Sequence, residues 1–135
     1  MKKKSFLALA LACIMCLNFS TAMAASYSVA HENVSGGTVT TIGSISSPTM
    51  FYGKTTWTTG GSVDIYADVY TTSIDGQEVL VRSINEEGSG NCRVDQTHRY
   101  LPSVGTYTIT KIVFSHAAYT LNSDMILDYS RTLRN

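Results

Sequence analysis

Residues 60–84 read GGSVDIYADVYTTSIDGQEVLVRSI. Val63, Ile65, Ala67 and Val69 alternate with Asp64, Tyr66, Asp68 and Tyr70. A period of two is what a strand with one buried face requires. Asp75-Gly76 is a turn dipeptide, and a second β-rich run follows it, so the stretch predicts a β-hairpin. A two-residue loop would set Arg82 against Val69 and put a charge among core valines. A three-residue loop over residues 74–76, with Gly76 left-handed, sets Ser73 against Gln77, Val69 against Val81 and Asp68 against Arg82. A slip of one residue turns a whole strand over. The second register, with an Asp68–Arg82 pair on the outer face, is therefore the expected one.

The rest of the chain carries the same signature. It is rich in Thr, Ser, Tyr, Val and Ile, residues that suit a pleated, half-buried surface. No window of twelve residues after residue 24 repeats at 3.6. Turn signals recur about every ten residues: Gly36-Gly37, Ser47-Pro48, Gly60-Gly61, Asp75-Gly76, residues 88–91, residues 102–105 and Asn122-Ser123. Strands are expected over 27–34, 38–45, 49–58, 62–72, 77–84, 92–101, 106–116 and 125–133. Ile112-Val113-Phe114 is apolar on both faces and predicts a central strand. The expected fold is all-β, an antiparallel β-sandwich of about seven or eight short strands.

Residues 1–24 read differently. Lys2, Lys3 and Lys4 form a basic start, residues 6–19 are apolar except for Asn18, and Ala22-Met23-Ala24 is a small-x-small site. That pattern predicts a signal peptide cleaved after Ala24, in a secreted bacterial protein. The run is short for a membrane span of about 20 apolar residues. Ala10-Leu11-Ala12-Cys13 is a poor match to a lipoprotein box, in which Cys13 would be acylated instead. Residues 25–135 are then a single all-β domain. Of the 10 Lys and Arg in the chain, three leave with the signal and 7 remain, against all 10 Asp and Glu. The domain is mildly acidic with no basic block, which argues against nucleic-acid binding.

Only Cys92 remains in the predicted domain, so no internal disulfide can form. An unpaired cysteine in a secreted chain implies a buried thiol or an intermolecular disulfide. Cys92 with His31, His98 or His116 has the residue types of a Cys–His nucleophile, but no protease or transpeptidase signature surrounds it. On a regular strand Cys92 and His98 would lie about 20 Å apart. Asp95 and His98 with a serine lack the Gly-x-Ser-x-Gly elbow. There is no His-x-x-x-His pair and no EF-hand loop; the acidic run 85–91 reads as a solvated hairpin loop. No metal or cofactor is expected.

The remaining candidate is the outward face of the quoted strand. Tyr66 and Tyr70 beside Asp68, extended by Trp57, have the chemistry of a ligand platform, because rings stack on sugars and carboxylates accept from their hydroxyls. The competing reading is packing: the tyrosines cover neighbouring strands, and a lone tryptophan in a small β-domain belongs to the core. The expected function is non-catalytic interaction outside the cell or at its surface, with a cell-envelope glycan or another protein as partner. The alternatives are a small secreted toxin or bacteriocin acting on membranes through alternating strands, and a small secreted enzyme or enzyme inhibitor.

Overall fold

The computed structural model describes residues 25–97 and 107–135. Residues 1–24, with Cys13 and the expected cleavage site at Ala24, and His98 lie outside the described residues. The described residues form eight strands in chain order: β1 (Ala25–Val34), β2 (Gly37–Ser47), β3 (Met50–Trp57), β4 (Ser62–Thr72), β5 (Glu78–Ser89), β6 (Asn91–Asp95), β7 (Lys111–Tyr119) and β8 (Met125–Arg134). They form two antiparallel four-stranded sheets, one in the order β1-β2-β3-β6 and the other β5-β4-β7-β8. The expected sandwich is the observed fold. Strands β3 to β6 make a Greek key: the β4–β5 hairpin belongs to one sheet, and the chain returns to place β6 beside β3 in the other.

The alternation in β4 sets the core. Val63, Ile65, Ala67 and Val69 are fully buried. Leaving water stabilises each of the larger three by on the order of 1.5–3 kcal/mol. They pack with Val39, Ile45, Phe51 and Val94 from one sheet and Ile112, Phe114 and Leu133 from the other. As expected, β7 is central, between β4 and β8.

Gly43 and Gly53 sit opposite each other on the buried face of β2 and β3. With no side chains there, the sheet has a dent. The rings of Tyr27 and Phe114 fill it, so closely that a Cβ on Gly43 would overlap both and one on Gly53 would overlap Phe114 and Ile65. The interdigitation that a core needs is achieved here by removing atoms from one sheet.

The quoted hairpin begins as expected and then departs. Ser73 N–H donates to the Gln77 carbonyl at 2.8 Å and Gly76 N–H to the Ser73 carbonyl at 2.9 Å, with Gly76 at φ 83°. Tyr70 faces Leu80 and Thr71 faces Val79, the register of the three-residue loop. A β-bulge then inserts one residue in β5, so that Val69 faces Arg82 and Asp68 faces Ser83. The expected Asp68–Arg82 pair is not formed. β5 is an edge strand, and that is why the core tolerates Arg82 on its inward side. The guanidinium passes beyond the valines and donates from Nη1 to the Gln96 carbonyl at 3.0 Å. The Asp68 carboxylate accepts from the Ser83 hydroxyl instead.

Three other strands depart from the expected bounds by five residues or more at one end. β5 runs on to Ser89, so most of the expected 85–91 loop is strand paired with β4. At the sheet edge Glu87 is exposed on the outer face, opposite Asp64 of β4. β6 ends at Asp95, well before the expected end at 101. β7 begins at Lys111 rather than 106, and Ile109 ahead of it is held in the core by its N–H bond to the Pro48 carbonyl at 2.6 Å.

Candidate functional site

Antiparallel connectivity gathers the β1–β2, β3–β4, β5–β6 and β7–β8 connections at one end of the sandwich. The first is a two-residue turn with both Ser35 and Gly36 at positive φ, which suits the twist of a hairpin. The second and third are tied together: Gly90 N–H donates to the Gly61 carbonyl at 2.7 Å, and Trp57 N–H to the Gly90 carbonyl at 2.8 Å. Between these connections lies a groove of about 380 Å³. Its lining includes Trp57, Thr59, Gly61, Tyr119, Leu121 and Asn122.

Trp57 forms the floor. It is 6% exposed, its Nε1–H donates to the Val34 carbonyl at 3.2 Å, and Gly61 lies against its ring. The indole is therefore core on one side and groove on the other. Leu121, at the tip of the β7–β8 loop, is fully exposed over the groove. Tyr119 forms a wall. Its hydroxyl bonds the Asp64 carboxylate, and burial, the Asp64 charge and other nearby charges raise the phenol above its ordinary range. Asp64 is itself raised, first by burial and then by the Glu87 carboxylate beside it. The groove thus offers two aromatic rings, an alkyl side chain, hydroxyls and an amide, with two carboxylates just outside it.

Trp57 does not extend the outward face of β4. It points inward from the other sheet, whereas Tyr66, Asp68 and Tyr70 line the outer surface of theirs. Tyr66 is 48% exposed. Tyr70 has the Lys111 ammonium 4.0 Å from its ring centre, and Lys111 and Arg134 both pair with Glu78. Asp68 is held by Ser83. Tyr119 and Asp64 join the two regions, because Asp64 is on the same outer face as Tyr66 while Tyr119 lines the groove. Sequence reasoning passed over Tyr119; an aromatic at a strand end beside the Asn122-Ser123 turn was its only signal.

Cys92 is buried at 6% exposure as a free thiol on the inward face of β6, paired with Thr55 of β3. Burial pushes its pKa up to about 11. A thiol in that state is protonated at neutral pH and a poor nucleophile. His116 lies on the far side of Thr55. Thr55 Oγ1 donates to the Asp64 carbonyl at 3.2 Å, so its lone pairs accept Nδ1–H of His116 at 2.7 Å. That leaves His116 Nε2 to accept the Tyr27 hydroxyl at 2.5 Å. Both ring nitrogens are engaged, and the tautomer follows from the partners. Beside this chain His31 Nε2 meets Thr41 Oγ1 at 3.2 Å, and its ring packs on Tyr129.

Among the described residues no group of three or more His, Cys, Asp or Glu is placed to hold a metal ion. Comparison with family models, with curated proteins and with solved structures found no match.

Proposed function

We propose that this chain is an exported, non-catalytic binding module whose loop-end groove takes a sugar ring of a cell-envelope glycan. The observation that carries the reading is the groove itself. Its volume falls in the range of small-ligand sites. Its lining combines the chemistry a sugar needs: Tyr119 for the apolar face of a ring, and Thr59, Thr120 and Asn122 for its hydroxyls. Loops at the end of a rigid sandwich are also where such folds carry binding residues. Export and a bacterial source belong to the same proposal and rest on the pattern of residues 2–24.

Purified residues 25–135 would be screened on an array of envelope glycans, and hits measured by titration calorimetry. Tyr119→Ala and Asn122→Ala are each expected to weaken binding about tenfold or more. Leu121→Ser tests the rim, where the side chain is fully exposed and its loss leaves the core intact. Binding unaffected by all three changes would remove the groove from consideration.

One observation favours the membrane-acting alternative. The β4–β5 hairpin ends in exposed Ile74, Val79 and Leu80. Dye release from liposomes by the wild type, abolished in Ile74→Ser/Leu80→Ser, would support it; intact liposomes at micromolar protein would not.

A further inference from the structure

On the side of the sandwich where edge strand β1 lies over edge strand β8, the two sheets meet through a cluster of four rings. Tyr27 and His31 come from β1, His116 from β7 and Tyr129 from β8. The ring centres of Tyr27 and His116 are 5.9 Å apart, those of His31 and Tyr129 4.7 Å, and those of Tyr27 and Tyr129 6.2 Å. His116 is 1% exposed and bridges the sheets, bonded to Tyr27 and Thr55 of one while belonging to the other. An imidazole at such a joint is an unusual choice, because in acid it becomes a buried cation.

We propose that the β1–β8 seam is an acid-sensitive clasp, in which protonation of His116 and His31 parts β1 from β8 and frays each from its own sheet, while β4 and β7 stay paired. Among the described residues no carboxylate faces the ring. From β1, His116 faces the Tyr27 phenol and the His31 imidazole; from β3, the Thr55 hydroxyl, with the protonated thiol of Cys92 on β6 behind it. From β4 it faces Ile65. From β8 it faces Tyr129, and the Arg131 cation acts on Tyr27. The nearby carboxylates are placed elsewhere. Asp64 bonds Tyr119 on the outer face, Asp128 is on the exposed side of β8, and Glu86 acts on Cys92 from β5, at the opposite edge of its sheet.

Burial, together with His31, lowers the His116 pKa to about 4, and burial lowers that of His31. Both groups are held neutral by the closed seam. Their contribution is therefore complete above the ordinary imidazole value of 6.5 and is lost as pH falls from there through about 4. An open seam that restores an ordinary pKa to His116 alone becomes favoured by on the order of 50–100-fold between pH 7.5 and 4.5.

The test is residue-resolved hydrogen exchange on residues 25–135 at pH 7.5 and 4.5, corrected for the intrinsic pH dependence of exchange, with imidazole titration followed by NMR. The expected result is a loss of protection of that order in β1 and β8, little change in β4, and a His116 resonance that titrates well below 6.5. His116→Gln, neutral at every pH, should abolish the acid-dependent loss. Should that variant not fold, His31→Gln, at a more accessible position, should reduce it. Unchanged protection in β1 and β8, equal loss in β4, or a His116 that titrates near 6.5 in the folded protein would each overturn the proposal.

Discussion

Replacing Gly53 with alanine tests the packing account directly, because two known effects predict opposite signs. In an ordinary strand Gly→Ala is stabilising by roughly 0.5–1 kcal/mol, through the entropy of the unfolded chain. Here the new Cβ would stand 2.5 Å from Cε1 of Phe114 and 2.7 Å from Cδ1 of Ile65. Unstrained carbon contacts lie near 3.5–4.0 Å. One or both neighbours must move by about 1 Å, and both are fully buried in the core. Overpacking of this kind costs roughly 1–3 kcal/mol. The expected net effect is a destabilisation of about 1–2 kcal/mol, or a melting temperature lower by roughly 5–15 °C in a domain of this size. Urea unfolding at pH 7.5 measures it, with an unchanged slope as the sign of an intact two-state transition. The double variant Gly53→Ala/Phe114→Leu should recover part of the loss, since removing ring atoms vacates the space the methyl takes. A Gly53→Ala protein as stable as the wild type, or more so, would refute the dent as a packing device.

Two further outcomes follow from the other buried groups. Arg82 has Nη2 buried without a partner while Nη1 holds the Gln96 carbonyl, so Arg82→Met is expected to change stability by less than about 1 kcal/mol or to raise it, and urea unfolding decides. Cys92, with its thiol pushed up to about 11, should react with iodoacetamide at pH 8 roughly a hundredfold more slowly in the folded protein than in urea, and labelling followed by mass measurement reads this; equal rates would mean that the thiol is open to solvent.

Local covalent geometry made much of this fold readable in advance. Side chains alternate across any strand, so the valines, isoleucine and alanine of β4 had to share a face, and its bounds, Ser62–Thr72, follow from the pattern with its flanking turns. The Asp75-Gly76 turn was equally local, since a left-handed position beside a strand end asks for glycine. Trp57 could be named as a candidate, but not that it would form the floor of a groove instead of joining Tyr66 and Tyr70.

Tertiary structure decided whatever depends on which strands meet. The bulge in β5 is invisible to alternation, because an edge strand can turn Arg82 inward and still deliver its charge to the Gln96 carbonyl. The acidic run after Ile84 resembles a loop until β4 supplies hydrogen-bond partners for it. The Tyr27–His116 contact spans 89 residues, and the groove draws on turns spread from Ser35 to Asn122. Periodicity tells each segment which side chains to bury. It carries no information about the segment against which they are buried, because that choice is made by packing the two sheets together.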